Sequence, residues 1–312
     1  MLNVLITGAA GQLGSEFRYL SGGMKGKAPE SNESEGTKNF NFIFVTRKEL
    51  DIQNSQKISG ICQYNKIDVI VNCAAYTAVD KAEQEPKQAD AINYLAVKGL
   101  AQIAKEKNIK LIHISTDYVF DGTSHKPYIE TDKTNPQSVY GKTKLNGELA
   151  MQVINPISSI VIRTSWVYSE FGNNFVKTMQ RLGQERDELN VVCDQIGSPT
   201  NARDLAQAIL HIIPRLFSQE PSDKKLANKE LKEKVEIYHY SNAGVCSWYD
   251  FAKEIFAISS INCKVNPIPT DEYPTPAKRP YYSVLDKTKI EKTFGVKVSY
   301  WRESLVGMKI AI

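Results

Sequence analysis

The chain has 312 residues, which is enough for one large domain and a smaller lobe. Hydrophobic residues make up 42% and charged residues 24%, and a formal net charge of +4 is too weak to indicate a nucleic-acid-binding surface. Because no apolar run reaches ~18 residues and no signal peptide is visible, we expect a cytoplasmic protein with no membrane partner.

Cysteine and histidine are scattered along the chain. The five cysteines form no Cys-x-x-Cys pair, and the four histidines are equally dispersed. We therefore expect reduced thiols and no metal site built from histidine and cysteine.

Strands and helices are predicted to alternate in the first half of the chain. Short apolar runs predict buried strands over 2–7, 41–46, 67–73, 109–115 and 159–164. Helical patterns lie between them, ending near Leu20 in the first case and covering 54–65, 86–107 and 137–154 in the others. This alternation predicts an α/β fold with a doubly wound parallel sheet.

The pattern weakens after about residue 170. Helices are predicted over 173–184, 202–217, 247–257 (with Ser247 as N-cap) and near 286–294, and one short strand over 190–193. These are too few strands for an independent domain. We expect residues 1–170 to bind a dinucleotide, and 171–312 to form mainly a smaller C-terminal substrate-binding lobe, with some segments returning to the sheet.

Two polar stretches interrupt the pattern. Residues 21–39 contain few apolar side chains and are interpreted as a surface insertion. Residues 219–236 carry five lysines and five acidic residues, which is typical of a solvated helix or loop.

A glycine-rich turn follows the first predicted strand. Gly8, Gly11 and Gly14 permit a tight turn and close approach of a pyrophosphate, and the following helix offers N–H donors at its N-terminus. Gln12 and Leu13 lie inside this turn. The pattern predicts a Rossmann-type dinucleotide site, and the Gly-x-x-Gly-x-x-Gly spacing resembles that of the short-chain dehydrogenase/reductase superfamily.

The end of the second strand should select the cofactor. An acid there would hold a free ribose 2′-OH, whereas a cation accepts a 2′-phosphate. This chain has Arg47 and Lys48 at that point, which favours NADPH, although NADH and an ordinary surface role for these cations stay open. The other predicted cofactor contacts are Asp51 and Ile52 beside the adenine, and Ala74, Ala75 and Tyr76 at the next strand end. Tyr140 and Lys144 are also expected to contact the cofactor, with the lysine hydrogen-bonded to the nicotinamide ribose.

Four residues form the predicted catalytic group. Lys144 lies one helical turn after Tyr140, and a nearby cation lowers the pKa of a phenol. Thr116 ends a strand and can polarise a carbonyl oxygen, while Asn93 can fix a water that relays protons to Lys144. The group predicts hydride transfer to a carbonyl carbon, with Tyr140 donating the proton to the oxygen.

Several longer motifs resemble one family of that superfamily. They are AAYTAVDKAE at 74–83, STDYVFDG at 115–122, RTSWVY at 163–168, DQIGSPT at 194–200 and Arg279-Pro280. These motifs span most of the chain and are similar to those of the dTDP-4-dehydrorhamnose reductases. The resemblance implies reduction of the 4-keto group of a dTDP-deoxysugar, dTDP-4-dehydro-L-rhamnose, to dTDP-L-rhamnose.

The resemblance also implies a set of substrate contacts. Residues that should line the sugar pocket beside Thr116 and Tyr140 are Thr77, Val79, Tyr118 and Trp166, with Asn174, Gln195 and Arg279 at the nucleotide and diphosphate end. Trp166 and Val79 could instead be plain core, and Tyr118 a strand cap. In some relatives Mg²⁺ bridges a homodimer through glutamates, and Glu16 matches one such position.

Two alternatives stay open at this point. One is another nucleotide-sugar reductase or epimerase with the same catalytic group. The other is a non-catalytic regulatory subunit that keeps the fold and binds a dinucleotide. Intact Thr116, Tyr140 and Lys144 argue against the second, since a subunit freed from catalysis need not keep all three.

Overall fold

The computed structural model describes residues 1–23, 39–217 and 234–308. Most of the predicted insertion at 21–39 and most of the charged stretch at 219–236 lie outside these residues. Among the described residues, no helix has the length and apolar character needed to cross a membrane.

The first half of the chain alternates as predicted. Its elements are β1 (Leu2–Thr7), α1 (Gln12–Leu20), β2 (Phe40–Val45), α2 (Ser55–Tyr64), β3 (Val69–Asn72), α3 (Val79–Gln84), α4 (Pro86–Asp90), α5 (Ala96–Glu106), β4 (Lys110–Thr116), α6 (Val139–Ile154) and β5 (Ile160–Thr164). A π-helical segment, Ala91–Leu95, joins α4 to α5, and a 3₁₀ turn, Asp117–Val119, follows β4.

The second half contains shorter elements. They are β6 (Val167–Tyr168), α7 (Phe175–Glu185), β7 (Glu188–Val192), β8 (Ile196–Gly197), β9 (Thr200–Asn201), α8 (Ala202–Ile212), β10 (Glu236–His239), β11 (Cys246–Ser247), α9 (Trp248–Ile258), β12 (Lys264–Ile268), α10 (Thr288–Phe294) and α11 (Trp301–Gly307). Short 3₁₀ turns lie at Ile213–Leu216 and Thr270–Glu272.

Among the described residues, six parallel strands form the central sheet, in the order β10-β5-β4-β3-β1-β2. One face is covered by α1, α8 and α10, whose core includes Phe17 and Ile209. The other face is covered by α2, α5 and α6, whose core includes Leu100 and Met151. This confirms the predicted doubly wound Rossmann-type sheet.

Two details of the sequence-based prediction were wrong, and one helix was not predicted. The single helix predicted over 86–107 is broken by the π-helical segment, where α6 approaches so closely that a Cβ on Gly147 would lie within contact of the Asn93 carbonyl oxygen. The end of the charged stretch is not solvated surface, because Glu236 begins β10. The terminal helix α11 has too short an apolar pattern to stand out in the sequence.

The C-terminal lobe has its own apolar core. Strands β7 and β12 pair in parallel, and helices α7, α9 and α11 pack around Val176, Phe251 and Leu305. Helix α9 begins after Ser247 as predicted, with a capping box completed by Asp250. The lobe lies beside the carboxyl ends of the sheet strands, the edge at which open α/β sheets bind their ligands.

Candidate active site

The predicted glycine turn lies against the end of β3. Gly8 has a φ of +63°, and a Cβ on it would lie 2.7 Å from the Ala74 backbone nitrogen. A Cβ on Gly14 would lie 2.6 Å from both Ala9 Cα and the Gly8 carbonyl oxygen. The Gly11 N–H donates to that same oxygen at 2.9 Å, which closes the turn. Larger side chains would therefore push the turn out of shape.

The N-terminus of α1 is open to an anion. Its N-cap is Gly11, and among the described residues no side chain caps this end and no acid lies in its first turn. Such an end offers N–H donors and a favourable dipole to a phosphate. Leu13 is buried in the core, so only its backbone can contact a cofactor.

Gln12 connects the turn to the lobe. Its side-chain nitrogen donates to the Val167 carbonyl at 3.3 Å, and its oxygen accepts from the Asn174 amide at 3.0 Å. Asn174 also caps α7 by accepting from the Lys177 N–H. The structure therefore brings Asn174 to the dinucleotide turn.

Gly14→Ala is expected to weaken dinucleotide binding at least tenfold, because the new methyl group would meet backbone atoms that cannot move independently. Titration of NADPH fluorescence measures this. The matched control is Gly60→Ala in α2, where an added Cβ meets nothing within 4 Å. Equal binding by both variants would contradict the assignment of this turn.

The end of β2 presents cations to solvent. Arg47, Lys48 and Asp51 are exposed, whereas Ile52 is buried. The nearby acid, Glu49, accepts from the Thr46 N–H and hydroxyl at 2.8 Å each, so its carboxylate closes the loop. These hydrogen bonds hold the pKa of Glu49 below its usual value.

Tyr140 and Thr116 meet at the carboxyl edge of the sheet. Tyr140 is 9% exposed, and Thr116 lies close enough to its hydroxyl to oppose part of the effect of burial on the Tyr140 pKa. Burial raises the pKa of Tyr140 to about 12, so the phenol carries its proton at neutral pH. A protonated phenol beside a second hydroxyl is suited to donate to a carbonyl oxygen.

Asp117 is a site residue that the sequence analysis missed. It is buried, and its carboxylate accepts from the Thr116 hydroxyl at 2.9 Å. Burial raises the pKa of Asp117 to about 6. Its position directly after Thr116 in the sequence could have identified it as a site residue. The hydrogen bond orients the hydroxyl that contacts Tyr140.

Lys144 lies one turn after Tyr140 on α6 and is 1% exposed. Its amino group donates to the Ile114 carbonyl at 2.5 Å and lies 3.4 Å from His113 Nε2. Burial lowers the pKa of Lys144 to about 8, although the charge of Glu148 opposes this shift. The lysine can therefore gain and lose a proton near neutral pH.

Asn93 is buried in the π-helical segment beside this group. Its side-chain oxygen accepts from the Tyr76 N–H at 2.9 Å, and its nitrogen lies 3.1 Å from the Tyr76 carbonyl and 3.2 Å from the Thr143 hydroxyl. These contacts hold the loop after β3 against α6. The predicted water relay through Asn93 stays a prediction.

Several predicted sugar contacts surround Tyr140. The Tyr118 ring meets the Tyr140 ring edge to face at 5.5 Å, and Val79 packs in the same cluster. Thr77 is exposed nearby on the loop before α3. Ala75 precedes Tyr76 on the same loop and is partly exposed.

Trp166 adopts a left-handed backbone conformation, with a φ of +47°. Its ring stacks on the Trp248 ring at 3.5 Å with an interplanar angle of 10°, so one face is covered by protein. A non-glycine residue at positive φ is held there by its surroundings, which is frequent at ligand sites. Trp166 is thus a fixed element of the lobe next to the site.

Arg279 was expected at the nucleotide and diphosphate end of the substrate, but its guanidinium is already paired in this structure. Two of its nitrogens bind the Asp80 carboxylate at 3.0 and 2.7 Å, which joins the lobe to α3. Gln195 is buried and donates to the Thr270 hydroxyl at 3.2 Å. A diphosphate contact by Arg279 would have to share or displace Asp80.

The predicted metal ligand Glu16 has other partners. Its carboxylate accepts from the Ser169 hydroxyl at 2.6 Å and from Arg203 at 3.0 Å, and Arg203 also binds Glu170. Burial raises the pKa of Glu16 in spite of these bonds. Within the described part of the chain, no cluster of metal-ligating side chains surrounds it. A Mg²⁺ bridge at Glu16 is therefore unsupported, because an arginine already provides the positive charge.

A buried ion pair lies one turn further along α6. Arg163 on β5 forms a bidentate pair with Glu148, at 2.7 Å for the shortest contact, and the Ser115 hydroxyl donates to the same carboxylate. Sequence analysis missed this pair because its members lie 15 residues apart on different elements. It fixes the catalytic helix against β4 and β5.

Comparisons with known proteins identify a family whose members match nearly the whole chain. Residues 2–310 match the model of the RmlD substrate binding domain family. A dTDP-4-dehydrorhamnose reductase of Sinorhizobium fredii is 41% identical over 292 residues, which cover 92% of this chain and 95% of that protein.

Two solved structures of proteins with that name resemble the whole chain. The one from Clostridium acetobutylicum is 42% identical, with a TM-score of 0.85 and coverage of 98% of both chains. The one from Bacillus anthracis, in complex with NADP, is 36% identical, with a TM-score of 0.85 and coverage of 99% of both chains. With a family model and full-length relatives in agreement, this chain belongs to the dTDP-4-dehydrorhamnose reductase family.

Proposed function

We propose that this protein catalyses the NADPH-dependent reduction of the 4-keto group of dTDP-4-dehydro-L-rhamnose to dTDP-L-rhamnose. The observation that carries the proposal is the buried group at the sheet edge, in which the protonated Tyr140 hydroxyl lies close to Thr116 and one helical turn from Lys144. The substrate class rests on the full-length relatives that bear the reductase name.

The glycine turn fits a dinucleotide. The space between Gly8 and the end of β3 would be filled by any Cβ, and the α1 N-terminus is open for a pyrophosphate. Arg47 is the proposed partner of the 2′-phosphate, with Asp51 and Ile52 beside the adenine. Ala74, Ala75 and Tyr76 are proposed to lie under the riboses. The relative from Bacillus anthracis in complex with NADP supports this choice.

The protein residues have distinct tasks in the reaction. Bound NADPH would supply the hydride to the carbonyl carbon. Thr116 donates its one hydroxyl proton to Asp117 in this structure, so to orient the carbonyl oxygen it would turn that donor toward the substrate. Tyr140 donates its proton to the same oxygen as negative charge develops. Lys144 favours the resulting phenolate and can return a proton to it.

The rest of the site is proposed to hold the deoxysugar and the nucleotide. Val79, Tyr118 and Trp166 would contact the sugar ring, because aromatic and aliphatic faces pack well on C–H-rich surface. Thr77 would hydrogen-bond a sugar hydroxyl. The nucleotide and diphosphate end would meet Asn174, Gln195 and Arg279. Residues 1–170 are thus proposed to bind the dinucleotide and also to supply the sugar contacts, while the segments after 170 form mainly a substrate-binding lobe that meets the nucleotide and diphosphate end.

An epimerase with the same catalytic group is the alternative to exclude. An epimerase regenerates its dinucleotide and keeps it bound, whereas a reductase consumes one NADPH for each alcohol formed. Absorbance of the purified protein and the ratio of NADPH oxidised to product formed separate the two. A one-to-one ratio supports the reductase. Bound cofactor with no net oxidation would contradict it.

Arg47→Ala is expected to lower the preference for NADPH over NADH by about tenfold, which is the size of one charge-assisted contact of ~1.4 kcal/mol. The ratio of kcat/KM for the two cofactors measures it. Arg186→Ala, at an exposed arginine after α7, is the matched control. An unchanged ratio in Arg47→Ala would remove Arg47 from the 2′-phosphate site.

A further inference from the structure

We propose that His113 is a positioning residue for the reaction: its ring holds the amino group of Lys144 and connects it, through Asn72, to Thr7 beside the glycine turn. The inference deepens the proposed function and rests on it. It assigns a role to a buried polar row that crosses three strands of the sheet.

The contact with Lys144 comes from β4. His113 has no exposed surface, and its Nε2 lies 3.4 Å from Lys144 Nζ. The Ile114 carbonyl, one residue further along the strand, accepts from the same amino group at 2.5 Å. A lysine side chain has a flexible four-carbon stem, so these two contacts fix where its amino group lies.

The far side of the ring is held by the neighbouring strands. Asn72 Nδ2 lies 3.0 Å from His113 Nδ1, and Asn72 Oδ1 accepts from the Thr7 hydroxyl at 2.6 Å. Thr7 is the register partner of Asn72 in β1 and β3, and Asn72 is that of His113 in β3 and β4. Thr7 directly precedes Gly8, so the row ends at the turn proposed to bind the pyrophosphate.

This row of polar side chains is unusual inside a buried parallel sheet. Strands buried on both faces are usually apolar, and a buried polar group costs free energy unless it is hydrogen-bonded. Thr7, Asn72 and His113 are each at most 1% exposed. Packing between strands that are buried on both faces does not require polar side chains, so packing alone does not explain the row. Contact with the catalytic lysine does.

The charges around Lys144 make the contact sensitive to pH. Burial and the charge of Lys144 hold the pKa of His113 well below its usual value, so the ring is uncharged. Glu148 acts on Lys144 from the next turn of α6 and is itself paired with Arg163 from β5, while Tyr140 lies one turn before it. Asn72 Nδ2 can only donate to Nδ1, so Nε2 carries the proton and, at 3.4 Å, favours the uncharged amino group of Lys144 over the ammonium.

Two substitutions of matched polarity test the proposal. His113→Asn keeps a polar atom near Nδ1, next to Asn72, but cannot reach Lys144. His113→Gln extends to about the position of Nε2 and can contact it. We expect His113→Asn to lower kcat at least tenfold and to move the pH midpoint near 8 by at least half a unit. His113→Gln should restore most of both.

The pH dependence of NADPH binding, followed by NADPH fluorescence, should show the same shift without any substrate. Thr7→Val, at the far end of the row, should give a smaller shift in the same direction and covers the case in which His113→Asn does not fold. An unshifted pH midpoint in His113→Asn, or equal losses in the Asn and Gln variants, would overturn the proposal. A different outcome would overturn only the proposed function. In that case the wild-type protein would not reduce the substrate, but His113→Asn would still shift the pH dependence of NADPH binding.

Discussion

Tyr140→Phe should reduce kcat by about a thousandfold while leaving the NADPH Kd within about threefold of the wild-type value. The substitution removes only the hydroxyl that is proposed to donate the proton, and general acid catalysis contributes about 10²–10⁴-fold to rates. The ring stays to pack against Tyr118. Steady-state turnover with NADPH, together with NADPH fluorescence titration, measures the two quantities.

The matched control for this loss is Tyr64→Phe, at a tyrosine that is 88% exposed at the end of α2. It should retain full activity. The experiment also decides between an enzyme and a regulatory subunit. A Tyr140→Phe protein that keeps more than a tenth of the wild-type rate would show that the proton comes from elsewhere. Loss of NADPH binding would show that the substitution had disturbed the cofactor site, so that the lower rate would not measure proton donation alone.

Arg163→Met is expected to lower the free energy of unfolding by about 3–5 kcal/mol, because it leaves the Glu148 carboxylate buried without its countercharge. The two side chains are only 2% and 1% exposed, and Glu148 also accepts from Ser115. Urea denaturation followed by fluorescence measures the change. Adding Glu148→Gln to the variant should recover at least half of the loss, since the second change removes the unpaired charge.

The control pair lies on the surface of α7. Arg181 and Glu185 are joined at 2.9 Å, but their side chains are 60% and 53% exposed. Arg181→Met should therefore change the free energy of unfolding by no more than about 0.5 kcal/mol. Similar losses in Arg163→Met and Arg181→Met would contradict the account of α6 being fixed by a buried ion pair.

Local patterns in the sequence were sufficient for five of the six strands in the central sheet. Each strand predicted in the first half is a short apolar run, because a parallel strand covered on both faces must be apolar at successive positions. Strand β10 escaped prediction for the opposite reason. It begins at Glu236, directly after a run of charges, and its burial depends on β5 and on Lys289, which binds the Glu236 carboxylate.

The residues of the candidate site likewise include some that local sequence reveals and others that only the fold brings together. Tyr140 and Lys144 are visible in sequence because a helix brings residues four apart onto one face. The partners of those residues come from other elements: His113 lies 31 residues before Lys144, and Asp80 lies 199 residues before Arg279. Strand register and the placement of the lobe decide these pairs. Spacing in the sequence does not record them.

The central claim is tested most directly by a coupled turnover assay. The protein would receive dTDP-4-keto-6-deoxyglucose and NADPH, with and without the 3,5-epimerase that produces the L-rhamno ketone, and loss of NADPH absorbance would be followed. We expect oxidation only when the epimerase is present, with formation of dTDP-L-rhamnose. Oxidation without the epimerase, or no oxidation by protein that still binds NADPH, would contradict the proposed reaction.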